Sequence, residues 1–384
     1  MEAQDQKIMK SKRFILTMFI LLLTFGPIYF FTSTKEGQVA VKLAKFSVSI
    51  IPAVRFQGLT LENISPPTKV SYPTGEGLTS ALLFRPQGED KRGALIISAG
   101  VGYSTENVKL IFKFADVIRD LGFTVLFPLP KNFSKEMVFY EDIKSYVAAF
   151  EFLESQPFVD QRKIGFIGFC AGGGFVLLAA EEPKIADRVA LVSTFAPYAN
   201  LKDFYIQSFA QMALIDGQTR NWKPNATTWR VILKNYFNRL PEKDAKILSE
   251  VFINRNEKET SKFSELSPQG RLAAELVETK DLKKISQMME SLPQNFQKDL
   301  IELSPLSKIE SLKTRVFIIH DGEDSFSPIE ESQKLTRVLG DKVSFVPVSV
   351  FSHTVLDRKF SLFEFLKELP RLLGQYYQIF YLLS

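Results

Sequence analysis

A single cysteine, Cys170, sits inside KIGFIGFCAGGGFVLLAA (163–180). An apolar run suited to a buried strand leads into Gly168-Phe169-Cys170-Ala171-Gly172, and an Ala-rich stretch of helical character follows at once. This is the G-x-nucleophile-x-G pattern of a strained strand-to-helix turn, with sulfur where a serine oxygen is usual. Side chains at Gly168 and Gly172 would collide with neighbouring backbone, which explains the two glycines. A helix that starts just beyond Cys170 favours the thiolate, the reactive form of the sulfur. Its first amide, on Ala171, can point at an oxyanion developing on a bound carbonyl. A lone cysteine is more often a small buried hydrophobe, but this context reads as a nucleophile for acyl transfer.

Such a thiol needs a base, and the base needs a group to orient it. The chain has two histidines, His320 and His353. His320 lies in VFIIHDGEDSFSP (316–328) beside the carboxylates of Asp321, Glu323 and Asp324, and His353 lies in Ser352-His353-Thr354. One cysteine excludes an internal disulfide and any multi-thiolate metal site. No metal or cofactor is expected.

The elements that must position these residues follow a regular rhythm. Short apolar runs at 94–98, 124–130, 163–169, 188–194, 315–320 and 342–349 read as strands. Segments near Val108–Leu121, Met137–Leu153, Ala171–Glu182 and Ile329–Leu339, with a terminal helix from about Phe360, read as helices. Alternation of this kind predicts an α/β chain, a mostly parallel sheet covered on both faces. VRFQGLTLEN (54–63) and TSALLFR (79–85) are candidates for antiparallel edge strands. From about Lys202 to Ser307 the pattern is helical with no convincing strand, which reads as a cap inserted over the sheet. The expected organisation is therefore a core of residues 36–201 and 308–384, interrupted by a helical cap at 202–307.

With 45% hydrophobic and 24% charged residues the chain reads as globular, and a net charge of +5 without a basic, aromatic-interleaved run gives no reason to expect nucleic acid as a partner. Phe14 to Phe31 is an uncharged apolar run of about 18 residues, roughly 27 Å as a helix. It reads as a retained membrane anchor within residues 1–35, with a cleaved signal peptide as the alternative. Its length and the poor match of TSTKEGQVA to a cleavage site favour the anchor. Lys7, Lys10, Lys12 and Arg13 before it favour a cytoplasmic N-terminus and a single-pass protein with its catalytic domain outside the cytoplasm, although Lys35, Lys42 and Lys45 follow closely. Val39–Val54 and Leu372–Leu383 are apolar enough to touch a membrane surface, but packing on the domain is the simpler expectation for both.

Together these residues resemble the α/β-hydrolase superfamily with a helical cap insertion, and within it the dienelactone hydrolases, whose G-x-C-x-G-G elbow is matched by GFCAGG (168–173). The resemblance spans roughly Lys69 to Leu373 apart from the cap. It implies a Cys-Asp-His triad. The acid follows the strand after the cap, in a pattern like H-G-x-x-D-x-x-x-P that His320, Asp324 and Pro328 fit, with Asp321 and Glu323 as neighbouring alternatives. The base follows the last strand, which points to His353 and leaves His320 as a structural residue. The loop ALIISAGVGYS (94–104) corresponds to the one that supplies the second oxyanion amide, on Val101 or on Gly100. Ser98-Ala99-Gly100 stands where the dienelactone enzymes carry a glutamate. Polyhydroxyalkanoate synthases share the cysteine elbow beneath a cap, so an acyltransferase is an alternative, as is a catalytically silent scaffold.

The sulfur narrows the substrate. A thiolate, with an ordinary thiol pKa of about 8.5, leaves a tetrahedral intermediate more readily than an alkoxide does. Collapse runs forward only if the other group is activated. Thioesters, enol lactones and aryl esters therefore suit Cys170, and the apolar cap and anchor suggest a hydrophobic acyl group.

Overall fold

The computed structural model describes residues 27–55, 66–75, 77–101, 105–349, 353 and 362–384. Helix α1 (Lys35–Arg55), preceded by helical residues 27–33, leads to the antiparallel pair β1 (Thr68–Thr74) and β2 (Gly77–Phe84). Then follow β3 (Arg92–Ser98), α2 (Thr105–Asp120), β4 (Thr124–Pro128), α3 (Tyr140–Glu154), β5 (Val159–Phe169), α4 (Ala171–Glu181) and β6 (Val189–Phe195). An insertion comes next: α5 (Leu201–Ala210), the hairpin β7 (Met212–Ile215) and β8 (Gln218–Asn221), α6 (Ala226–Phe237), α7 (Glu242–Leu248), α8 (Pro268–Glu278), α9 (Leu282–Glu290) and α10 (Gln294–Glu302). The chain returns through β9 (Arg315–Asp321), α11 (Ile329–Leu339), β10 (Val343–Val348) and α12 (Leu362–Leu383).

Eight strands form one sheet in the order β1-β2-β4-β3-β5-β6-β9-β10. β2 runs antiparallel to β1 and β4, and every pair from β4 to β10 is parallel. Helices cover both faces, so the central strands are apolar on both sides rather than alternating. In β3, Ala94 and Ile96 face α3, α4 and α11, whereas Leu95 and Ile97 face α1, α2 and α12. The six core strands, the helices between them and β2 match the sequence expectations to within a few residues. β1 was not expected, and VRFQGLTLEN divides between the end of α1 and residues outside those described.

Both segments expected to pack on the domain do so. Val39 and Phe46 of α1 are buried, and Phe46 meets Phe114, Tyr376 and Phe380 with ring centroids 4.6 to 6.0 Å apart. Most of the apolar run Phe14–Phe31 lies outside the described residues. Its end does not: Ile28, Tyr29, Phe30 and Phe31 are all exposed. Among the described residues no helix is long and apolar enough to cross a membrane.

The insertion carries its own apolar cluster, in which Tyr205, Phe209, Tyr236, Met289 and Phe296 are buried. It is mostly helical, as expected, but the β7–β8 hairpin departs from that expectation. Asp216 and Gly217 supply its turn with φ of 49° and 75°, the two left-handed residues that a tight type I′ turn requires.

Candidate active site

The parallel register brings the strand ends to one level. Ser98 pairs with Gly168, Phe169 with Phe195, Phe195 with Ile319, and Val348 with Asp321. Loops leaving this carboxyl edge are therefore neighbours in space although they come from distant parts of the chain.

Cys170 sits at that edge between β5 and α4 with φ 53° and ψ −127°, a conformation few non-glycine residues adopt. Hydrogen bonds hold the turn. The Cys170 N–H donates to Phe195 O at 2.8 Å, and the Gly173 N–H donates to Cys170 O at 2.8 Å. A Cβ at Gly168 would lie 2.5 Å from Gly172 O, and one at Gly172 would lie 2.2 Å from Ala99 O. The elbow thus fits only because both flanking side chains are absent. Ala196 and His353, at the same edge, also have positive φ, 50° and 56°. Three of the seven non-glycine residues with positive φ among those described therefore lie at this one edge.

The loop after β3 passes directly beneath the sulfur. A Cβ on Gly100 would lie 3.1 Å from Cys170 Cβ. This places the Gly100–Val101 segment, which carries one expected oxyanion donor, beside the elbow and the start of α4, where the other, Ala171, lies. Ser98, just before them, is buried and donates to the Tyr146 hydroxyl at 2.7 Å. It thereby ties the end of β3 to α3.

Asp324 and His353 come together. His353 Nδ1 is 2.7 Å from Asp324 Oδ2, and the side chains of both are buried. The side chain of Cys170 is near enough to the same imidazole to help raise its pKa. Burial alone would lower the His353 pKa, but the charges of Asp324 and Cys170 and the hydrogen bond to Asp324 push it up to about 10. Burial likewise works against the Asp324 carboxylate, yet the charge and hydrogen bond of His353 and the amide of Phe326 hold its pKa below the ordinary value. Asp324 Oδ1 accepts from the N–H of Phe326 at 2.6 Å and of Ser327 at 3.2 Å. The acid is fixed at one oxygen by its own loop and presents the other to the ring.

The alternatives to these two residues are otherwise engaged. His320 is fully buried, with Nε2 donating to Ser327 O at 2.9 Å and Nδ1 2.6 Å from Ser332 Oγ. A carbonyl can only accept, so Nε2 carries the proton and Nδ1 accepts from the hydroxyl. Burial pushes the His320 pKa down and keeps the ring neutral. Asp321 receives the N–H of His353 at 3.2 Å and of Glu323 at 3.1 Å, so it holds backbone rather than the ring. Glu323 is exposed.

One rival for the acid has another role, and two further site residues were not foreseen. Asp321 fixes the backbone of His353. Phe326 stacks on the His353 ring at 4.1 Å between centroids and 15° between planes. Trp222, from the insertion, donates Nε1–H to Asp324 O at 2.7 Å. Only Phe326 had a local signal, an apolar residue in a polar loop two positions after the acid.

The profile of the dienelactone hydrolase family matches residues 79–200, from β2 through the elbow to the start of the insertion. Asp324 and His353 lie beyond the match. A search of curated proteins found no match. Among solved structures, the α/β-hydrolase GrgF from Penicillium sp. sh18 is 18% identical, with a TM-score of 0.49 over 82% of this chain and 99% of that one. The 2,6-dihydroxy-pseudo-oxynicotine hydrolase is 12% identical, with a TM-score of 0.49 over 91% and 82%. A candidate dipeptidyl aminopeptidase IV from Bacteroides ovatus is 12% identical, with a TM-score of 0.50 over 83% of this chain and 36% of that one, so the chain spans about a third of its length. The chain has the α/β-hydrolase fold, with a mostly helical insertion between β6 and β9. The family match and the fold support a hydrolase-type enzyme of that superfamily.

Proposed function

We propose that the chain is a membrane-tethered hydrolase that opens activated esters, thioesters or lactones through an acyl-Cys170 intermediate. The observation that carries this reading is the imidazole of His353, bonded at 2.7 Å to the buried Asp324 carboxylate, at the strand edge where Cys170 sits on its strained turn. His353 takes the thiol proton, and the sulfur attacks the substrate carbonyl. Amides of Ala171 and Val101 hold the oxyanion. As the carbon–oxygen or carbon–sulfur bond breaks, His353 returns the proton to the leaving group. Water, deprotonated by the same ring, then cleaves the acyl–sulfur bond, releasing the acid and restoring the thiol. The insertion at 202–307 caps the site and shapes the acyl pocket.

Matched thioester, aryl ester and alkyl ester series of one hydrophobic acyl group test the chemistry. Expected kcat/KM is highest for thioesters and aryl esters, by about 100-fold or more over alkyl esters, as a thiolate-expelling intermediate requires. Fastest turnover of unactivated alkyl esters would contradict it.

The tether rests on the exposed run Ile28–Phe31, which continues the uncharged sequence before it. Four adjacent exposed apolar side chains are costly in water and favourable at a bilayer interface. The full chain is expected to stay with the membrane fraction after alkaline carbonate washing, and a chain lacking residues 1–33 to be released. Release of the full chain would refute the tether.

A further inference from the structure

Four successive backbone carbonyls pass through the loop that carries Asp324, and each is taken by a donor from outside the loop. Trp222 Nε1–H donates to Asp324 O at 2.7 Å, the Asn225 N–H to Ser325 O at 2.9 Å, and the Thr228 hydroxyl to Phe326 O at 3.1 Å. His320 Nε2 takes Ser327 O. Three of the four donors thus come from one stretch of the insertion, between β8 and the first turn of α6. Asn225 is free to donate its N–H because it caps α6, its side chain accepting from the Thr228 N–H at 2.9 Å. Just upstream, Arg220 clamps Glu330 at the start of α11 through two bonds of 2.8 and 3.0 Å. The insertion is therefore bolted to the two residues that hold the base: Asp324, which grips Nδ1, and Phe326, whose ring lies against the imidazole.

We infer that Trp222 is a positioning residue, and that the seating of the insertion on the acid loop sets the alignment of Asp324 and His353 against Cys170. The inference rests on the triad reading above and adds to it a control exerted from the cap. Trp222 is buried, so its bond to Asp324 O is shielded from water and no solvent molecule replaces it when it is lost. Freed, the Asp324–Ser325 peptide can rotate. That rotation displaces both the carboxylate and the Phe326 amide it accepts from. Misplacement of a catalytic group by about 1 Å can lower a rate about 100-fold.

The test uses the full chain in detergent, with iodoacetamide as the probe and intact mass as the readout. The sequence has one cysteine, so the adduct that a Cys170→Ala chain fails to form is the Cys170 adduct. Alkylation rates are compared at about pH 6 and about pH 9, because a paired imidazolium sustains the thiolate at the lower pH and has little effect at the higher. Trp222→Phe keeps an aromatic ring but loses the donor. It is expected to slow alkylation about 10-fold at the lower pH and less than about 2-fold at the higher. Thr228→Val, isosteric without its hydroxyl, is expected to move the ratio the same way by a smaller factor. Trp229→Phe, the other tryptophan of the insertion, is expected to leave the ratio unchanged. A folded Trp222→Phe protein with the wild-type ratio overturns the inference. If that variant does not fold, Thr228→Val decides, and its wild-type ratio overturns the inference equally. His353→Ala tests the underlying reading separately: it must abolish the low-pH rate, and failure to do so removes the triad whatever Trp222 does.

Discussion

Cys170→Ala is expected to lower kcat by about 10⁶-fold and to abolish the acyl adduct that the wild-type chain accumulates with an activated ester. The substitution shortens the side chain by one atom at a turn held by two backbone hydrogen bonds, from Cys170 N–H to Phe195 O and from Gly173 N–H to Cys170 O. The elbow does not depend on the sulfur, so the fold should persist. Cys170→Ser sharpens the comparison. A hydroxyl at the same position is not deprotonated by proximity to an imidazolium, so low-pH reactivity with alkylating reagents disappears while His353 remains. Turnover and adduct mass, measured together, check both variants. An alanine variant that still turned over substrate at the wild-type rate would end the cysteine mechanism.

Asp324→Asn is expected to lower kcat about 10⁴-fold, the scale of losing the correct imidazole tautomer. The reason lies in how the carboxylate is held. Oδ1 accepts from Phe326 and Ser327, so the oxygen of an asparagine must stay at that position. Its amide nitrogen is then forced to the Oδ2 position, 2.7 Å from His353 Nδ1. An amide NH₂ only donates, so Nδ1 must become the acceptor and the ring proton must move to Nε2. That nitrogen can then no longer take a proton from Cys170. Loss of the carboxylate charge also lowers the His353 pKa from about 10. The low-pH alkylation of Cys170 should fall with it. Steady-state rates with a thermal melt check the outcome, and a well-folded Asp324→Asn protein with full activity would exclude Asp324 as the orienting acid.

The elbow was legible because its residue pattern is local, even though its requirements are not all so. Gly168 is demanded by Gly172, Gly173 and Val176 of the same turn and helix, whereas Gly172 is demanded by Ser98 and Ala99 at the end of β3, and a buried parallel strand announces itself as an unbroken apolar run. The positions of the core strands along the chain followed from the same runs. β1 gave no such signal: in TKVSYPT only Tyr72 is buried, and the strand is an edge with Pro73 near its end. The β7–β8 hairpin was hidden because its second strand, QTRN, is fully exposed and only four residues long. Asp216-Gly217 was the one available clue. For the acid and base, spacing left Asp321, Glu323 and His320 as rivals to Asp324 and His353. What separates them in space is hydrogen bonding that no spacing encodes, such as the capture of both His320 nitrogens by Ser327 and Ser332. Trp222 was beyond reach of sequence reasoning, since its partner lies 102 residues away.

The bonds from residues 222–228 to the acid loop also bear on how far the chain can be pared down. Splicing out the helices between β6 and β9 would leave a shorter protein with its sheet strands intact. It would also strip the donors from three consecutive carbonyls and let water reach the back of the acid. A trimmed enzyme of this lineage therefore needs a new roof stitched to the same three oxygens, and without one the surviving scaffold keeps its sulfur but loses its aim.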